Sequence, residues 1–409
     1  MTTEARMTPA RQRAAERRQL RGRGARLGRA DRTALGRWFW EIDRVLLLLV
    51  TVLIGIGLIA VAAASPASTQ RYSGATLTLP PLYYFYRQLM WIVLSTPVMI
   101  GVSMLPKSLA RRGALAGCAI FLLMLIAVPL FGFEVNGAQR WILFGPIQVQ
   151  PSEFLKPLLT VTFAWLLSLR VKDEKLPVSW ISAGILLVVA ALLMKQPDFG
   201  QTVIFCAVWV TLLTLSGAPI KLLGALGALG ATGVVCAYLF YSVARIRIDG
   251  FLHGKGDTYQ TDSAHATLTN GGLIGRGPGA GTMKFRLPEA HTDYIFSVIG
   301  EEFGLIACVA IACIYLAIVV RVFVKLLNEE DDFTLLASAG LVCQFGFQAI
   351  INMMVNVQLA PSKGMTLPFI SYGGSSMLAL SIGFGLLLAF TRQNPYLKRS
   401  PYVVKWSGR

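Results

Sequence analysis

Histidine, acidic side chains and paired cysteines are all scarce in this chain, and each scarcity removes a class of function. The three histidines, His253, His265 and His291, lack the i, i+4 spacing of a helical zinc site, which argues against a structural or catalytic zinc. The six cysteines, Cys118, Cys206, Cys236, Cys308, Cys313 and Cys343, fall inside apolar runs with no CxxC spacing. They read as small buried apolar residues, neither a redox pair nor a disulfide framework. Charged residues fill only 14% of 409 positions against 55% hydrophobic, with a mean hydropathy of +0.59, far more apolar than a soluble domain of this length requires.

A helix needs about 20 apolar residues to cross the hydrocarbon. Such runs occur near 45–64, 83–104, 114–132, 154–169, 178–194, 200–216, 221–242, 294–320, 333–355 and 373–391. They predict an all-α integral membrane protein of about ten transmembrane helices, the weakest break being Lys195–Asp198. An even count puts both termini on one side. Lys107, Arg111, Arg112, Arg170, Lys172, Lys175, Lys221, Arg321, Lys325, Arg392, Lys398 and Arg399 all fall on that side, so it is expected to be cytoplasmic. The loops 65–82, 133–153, 243–292 and 356–372 then lie outside. The large extracytoplasmic loop 243–292, before the eighth helix, is long enough to form a lid or a partly re-entrant structure.

Outside the membrane domain, 45–392, the chain divides into two basic pieces. The arm 1–44 holds about twelve arginines and supplies much of the net +17 while offering almost nothing to bury before Trp38, Phe39 and Trp40. It is expected to be largely disordered, cytoplasmic, and attracted to anionic membrane lipids or a cytoplasmic partner rather than to nucleic acid. It does not read as a cleavable signal peptide, because the apolar stretch begins too late and runs too long. Residues 393–409 form a short basic cytoplasmic tail.

Polar groups inside apolar surroundings cost free energy, so they mark where chemistry is to be sought. In the run Leu287–Gly304, His291 and Asp293 stand at the mouth of a predicted span and Glu301 and Glu302 further in. Glu153 and Lys156, i and i+3 on one helical face, can form an intramembrane pair of structural or functional meaning. Asp198 beside Pro197 suits the cap of the sixth span. Asn352 and Asn356 suit cross-links between helices. Gly275–Gly281 has the outline of a dinucleotide fingerprint, but it follows no predicted strand and contains Pro278, which argues against that reading. A flexible loop, or one that wraps an anionic headgroup with Arg276, Lys284 and Arg286, fits better. The small residues of Lys363–Ser376 would let the last helix approach a neighbour closely, and the exposed amides there could meet an anion.

Four stretches, taken together, resemble a known family. They are Asn136–Ile142 with Gln150–Glu153, Gln196–Gly200, Leu287–Asp293 and Ile370–Ser376, and in this order and register they are similar to the SEDS family (shape, elongation, division and sporulation) across nearly the whole membrane part. Ile299–Glu302, Lys363–Pro368 and the basic arm resemble the division type rather than the elongation type. Tyr294 stands where many members carry Phe, and Gln358-Leu359-Ala360 departs from the usual sequence before the proline; neither removes an ionisable group.

The resemblance implies a peptidoglycan glycosyltransferase that polymerises lipid II into glycan strands outside the bacterial cytoplasmic (inner) membrane at the division septum. Its partners would be a class B penicillin-binding protein transpeptidase and other divisome membrane proteins. It also implies that Asp293 is the catalytic residue. Glycosyl transfer needs a base for the acceptor hydroxyl and positive charge for the departing diphosphate. Outward-facing cationic candidates are Arg140, Lys284, Arg286 and Lys363, with His291 and Ser371 as further substrate-binding candidates. No resident cofactor is implied, although a divalent cation, Mg or Mn, at Asp293 would serve the same charge. Rival readings are a lipid II flippase, with Glu153, Lys156 and Asp198 lining a polar path, a non-enzymatic scaffold for the transpeptidase, and within the family an elongation polymerase.

Overall fold

The computed structural model describes residues 34–73, 78–135, 138–145, 147–173, 176–253, 258–362 and 364–392. The arm up to residue 33, the tail from 393 and Lys363 therefore lie outside the described residues. Residues 44–391 form one unit, and the described parts of both termini belong to a second. In that second unit α1 (Ala34–Glu41) carries Trp38, Phe39 and Trp40, and Glu41 pairs with Arg392 at 3.2 Å.

The membrane unit contains α2 (Arg44–Tyr72), α3 (Tyr83–Ser103), α4 (Lys107–Phe131), α5 (Pro151–Lys172), α6 (Val178–Lys195), α7 (Phe199–Leu215) and α8 (Ile220–Phe240). Two shorter, more polar helices, α9 (Ser242–His253) and α10 (Tyr259–Asn270), and a 3-10 turn at Met283–Arg286 follow, then α11 (Ile295–Leu326), α12 (Asp332–Asn356) and α13 (Gly374–Thr391). Among the described residues nine helices are long and apolar enough to span a bilayer, and α7, at 17 residues, makes a shorter tenth. The chain is a multi-pass membrane protein. The expected break between the fifth and sixth spans is real and tight. The Asp198 amide donates to Leu193 O at 2.9 Å, and its carboxylate accepts from Gln201 N at 3.4 Å, capping α7 as expected.

One loop departs from the helical expectation. Between α4 and α5, β1 (Phe133–Val135), β2 (Ala138–Phe144) and β3 (Ile147–Val149) form an antiparallel meander, with Phe133 opposite Trp141 and Ile142 opposite Val149. The β2 sequence, AQRWILF, carries the aromatic and β-branched residues that suit a pleated surface, and the chain reverses through Gly145, whose φ is 60°.

Helices α5, α12 and α13 are the most enclosed, with α5 packed on α4 and α12, and α13 on α3. The small residues at the start of α13 permit that approach: a Cβ on Gly374 would fall 2.5 Å from the Trp91 ring of α3. By contrast α8 buries none of its residues, and Cys236 on it, like Cys313 on α11, is exposed rather than buried as the sequence suggested. In a membrane protein a small apolar side chain is equally satisfied facing lipid. The connections after α2, α4, α6, α10 and α12 gather at one end of this unit, where Tyr72 meets Glu289, Arg140 meets Gln196 and Gln358 meets Asp262.

Candidate functional site

The site begins with a helix that is not continuous. At Gly304, φ 82° and ψ 177° interrupt α11, and a Cβ there would lie 2.3 Å from Leu273 O, so only glycine fits the crossing. A broken helix at membrane depth must have its freed backbone groups satisfied by protein. Leu305 N and Ile306 N donate to Gly272 O (3.0 Å) and Leu273 O (3.2 Å), while Glu301 O and Glu302 O accept from Arg276 N (2.9 Å) and Gly277 N (3.0 Å).

The same loop closes on the two buried carboxylates. Glu301 accepts from Asn270 Nδ2 (2.8 Å) and from the amides of Thr282 (3.0 Å), Met283 (2.7 Å) and Lys284 (2.9 Å). Glu302 accepts from Gly279 N and forms an ion pair with Lys284. This corrects two expectations. The amides of Arg276, Gly277 and Gly279 are taken up by the main-chain carbonyls of Glu301 and Glu302 and by the Glu302 carboxylate, and those of Thr282, Met283 and Lys284 by the Glu301 carboxylate, so the loop's donors serve the chain's own acceptors instead of a headgroup. Lys284 is not outward-facing; it is buried between Glu302 and Ala63 O, the latter at 2.9 Å.

Asp293 sits just before the N-cap of α11, half-buried, with its carboxylate against Gly364, where an added Cβ would lie 3.2 Å from Oδ2. Its main chain is clamped from α12, since Asn352 Nδ2 and Asn356 Nδ2 donate to Asp293 O at 2.8 and 3.2 Å. Asn356 Oδ1 in turn accepts from Ser297 N and Oγ (3.2 and 2.7 Å), so the two asparagines cross-link helices as their spacing suggested. A second seam joins the segment to the turn before α13. Tyr372 N donates to His291 O at 2.9 Å, and Ser371 Oγ donates to Thr292 O at 2.6 Å while accepting from Leu367 N at 2.7 Å. Ser371 is thus occupied with fastening this turn. Glu289, at φ 51°, accepts from Thr292 Oγ1 and Tyr72 OH, each at 2.7 Å.

His291 is buried under Tyr84, whose ring centroid is 4.0 Å away, with Tyr372 at 5.3 Å and Tyr72 at 6.2 Å. Burial pushes its pKa down to about 4, with Glu289 opposing, so the ring is neutral at physiological pH. Its Nδ1 has no hydrogen-bond partner among the described residues.

The cationic candidates separate by surroundings. Arg140 caps the end of α6, donating to Gln196 O (3.1 Å) and Pro197 O (2.5 Å) with Asp198 at 4.0 Å, whereas Arg286 is exposed. Arg71 and Arg87 stand at the same end and were not anticipated. Arg71 Nη1 donates to Arg286 O at 3.3 Å, and Arg87 donates to Tyr83 OH at 2.9 Å. The available signal was a cation at the end of one span (Arg71) and near the start of the next (Arg87), on the face the positive-inside rule leaves poor in positive charge.

Deeper in the bundle, Glu153 and Lys156 pair at 2.8 Å, and they do not pair alone. Gln201 Nε2 donates to Glu153 at 2.6 Å, Lys156 Nζ donates to Gln348 Oε1 at 3.0 Å, and Gln348 Nε2 donates to Thr366 O at 3.0 Å. A cavity beside them is lined by Glu153, Lys156, Gln344 and apolar residues of α12 and α13. Gln344, Gln348, Asn352 and Asn356 form one polar stripe along α12 from this cluster to the Asp293 carbonyl. Their i, i+4 repeat was visible in the sequence, yet only its last two members were singled out. Among the described residues no three His, Cys, Asp or Glu side chains converge on a metal-ligating position.

Comparison with known proteins places this arrangement. Residues 43–396 match the model of the cell cycle proteins FtsW, RodA and SpoVE. The chain belongs to that family. It is 38% identical over 369 residues to the probable peptidoglycan glycosyltransferase FtsW of Caulobacter vibrioides, covering 90% of this chain and 93% of that one. The corresponding FtsW of Trichlorobacter lovleyi is 34% identical, with 85% and 92% covered. Among solved structures, a chain from a peptidoglycan synthase complex that coordinates polymerization and crosslinking superposes with a TM-score of 0.69 at 27% identity, covering 86% of this chain and 97% of its own. RodA of Thermus thermophilus gives 0.62 at 25% identity, covering 86% and 96%. The FtsW/RodA/SpoVE match spans the complete membrane unit, so the broken helix, the clamped Asp293 and the Glu153–Lys156 cluster all lie within it.

Proposed function

We propose that this protein is a division-type peptidoglycan glycosyltransferase that polymerises lipid II, with Asp293 as the general base. The observation that carries the reading is the placement of Asp293: a carboxylate whose backbone is fixed by two asparagines and whose segment is stitched to the turn before α13, at the end of the bundle where the loops gather. A base must be held within hydrogen-bond reach of the proton it takes, and this double clamp supplies rigidity. In the reaction the acceptor sugar hydroxyl attacks the anomeric carbon of the donor. Asp293 takes the hydroxyl proton, the new C–O bond forms, and the bond to the lipid diphosphate breaks, releasing it with its electron pair. Arg286, with Arg71 and Arg87, supplies positive potential for that leaving group. Were a divalent cation to take part, Asp293 would be the residue to hold it, and the ion would supply positive charge for the diphosphate.

The names of the relatives and the synthase-complex neighbour support the glycosyltransferase reading, and that reading carries with it a class B penicillin-binding protein as partner and the septal inner membrane as location. The clustering of basic residues on the side of the termini supports cytoplasmic termini and a site on the outer face. The flippase alternative loses support because the charges of Glu153 and Lys156 neutralise each other and are held by Gln201 and Gln348. The decisive test is incubation of the purified full chain and its transpeptidase with lipid II, followed by gel separation of glycan strands. Long strands are expected; their absence, with lipid II crossing the bilayer instead, would overturn the proposal.

A further inference from the structure

The mechanism above leaves the aromatic cluster around His291 without a task. Its rings come from four separate places, Tyr72 at the end of α2, Tyr84 in the first turn of α3, His291 beside Asp293, and Tyr372 before α13. Tyr84 and the imidazole lie 4.0 Å apart and inclined by 39°, Tyr372 has the same inclination to the imidazole at 5.3 Å, and Tyr84 and Tyr372 meet edge to face at 5.2 Å. His291 is buried, Tyr84 and Tyr372 are half-buried and Tyr72 is exposed, so the cluster runs from a buried imidazole to the surface. An interfacial belt of tyrosines accounts for dispersed rings at the headgroup level. It does not account for rings from three other segments converging on one buried imidazole two residues from Asp293, nor for the imidazole Nδ1 being left without a partner among the described residues.

A pyranose ring presents C–H bonds on its faces and hydroxyls around its rim. It therefore binds where an aromatic face meets a single uncharged hydrogen-bonding atom in a pocket that is mostly apolar. The geometry points to Tyr84 and Tyr372, packed against His291, as the platform on which an amino-sugar ring of the lipid-linked substrate stacks beside Asp293, with His291 Nδ1 meeting one polar group of that sugar. This rests on the glycosyltransferase reading and adds to it the place of the sugar. The lipid and diphosphate are then recognised elsewhere, which separates two parts of the same ligand experimentally.

The test compares binding of lipid II with binding of undecaprenyl diphosphate, which lacks the sugars, to the full chain in detergent, alongside polymerisation by the same preparations. Tyr84→Leu and Tyr372→Leu should each weaken lipid II binding about three- to tenfold, an aromatic-face contribution converted to affinity, and leave undecaprenyl diphosphate binding at the parent level. Tyr84→Phe, which keeps the face, should lose less than Tyr84→Leu. Equal loss for both ligands in both leucine variants assigns the rings to the fold and overturns the platform, as does parent-level lipid II binding in both. Selective loss of lipid II binding in the leucine variants of a parent that itself makes no glycan would keep the platform and sink the polymerase reading instead.

Discussion

Removing one member of the Glu153–Lys156 pair is the perturbation whose size the structure defines best. Both side chains are almost fully buried and 2.8 Å apart. Lys156→Met leaves the Glu153 carboxylate with Gln201 Nε2 at 2.6 Å and a long contact to Ser376 Oγ at 3.4 Å, and leaves Gln348 Oε1 without its donor. Glu153→Gln leaves the ammonium with Gln348 and whatever the new amide oxygen can accept. Stranding a buried charge costs roughly 3 to 5 kcal/mol, and the carboxylate, which keeps only one good donor, should stand at the upper end of that range. The double change Glu153→Gln with Lys156→Met removes both charges, so it should cost less than either single change despite deleting more interactions. The assay is denaturant or thermal unfolding of the full chain in one detergent, giving a double-mutant cycle. The coupling should then exceed the larger of the two single losses, roughly 3 to 5 kcal/mol. A double-variant loss equal to the sum of the singles would show that the residues act independently, and the account of a mutually neutralising pair would fail.

Gly304→Ala should lower the yield of folded protein sharply, since a left-handed φ costs roughly 1 to 3 kcal/mol for a side-chain residue and the new Cβ meets Leu273 O; a size-exclusion profile matching the parent would contradict the crossing described. Burial holds the folded-state His291 pKa near 4, below its usual 6.5, so between those values the unfolded chain binds more protons. Stability from this group is thus complete above about pH 6.5 and is lost as pH falls toward 4, by about 3 kcal/mol; His291→Phe should flatten that part of the pH profile, and an unchanged slope would show that His291 is not its source. A single cysteine introduced at Ser263 in a cysteine-free background should react with an impermeant reagent from outside intact cells, and labelling only after the cytoplasmic face is opened would reverse the proposed orientation.

Most of the scaffold could be read from the sequence because hydropathy is a local signal. Each run long enough to cross the hydrocarbon became a helix, and even the short link at Lys195–Asp198 was marked by its proline and acid. What escaped depended on contacts distant in sequence. Nothing local says that Gly304 breaks α11, because the glycine lies in a sequence that reads as one apolar span and the break is stabilised by carbonyls of Gly272 and Leu273 some thirty residues earlier. The same distance hid the fate of Lys284, which reads as an exposed loop cation until Glu302 is brought to it. The β-meander escaped because its outer strands have only 3 residues each. Asp293 and the Glu153–Lys156 pair were legible because ionisable groups beside apolar runs need a reason; Tyr84 and Arg87 were not, since in the first turn of a span they resemble ordinary interfacial residues.

The central claim is that Asp293 performs the chemistry, and it is tested most directly by purified Asp293→Asn full chain, with its transpeptidase, given lipid II. Asparagine keeps the size and hydrogen-bonding reach of aspartate and leaves the backbone clamp by Asn352 and Asn356 in place, but it cannot accept the acceptor's proton or hold a cation's charge. The variant should fold, bind lipid II and assemble with its partner while glycan synthesis falls by about 10² to 10⁴. Glu289→Gln, which only weakens contacts to Thr292 and Tyr72, should lose far less. Long glycan strands formed by Asp293→Asn at near the parent rate would contradict the account.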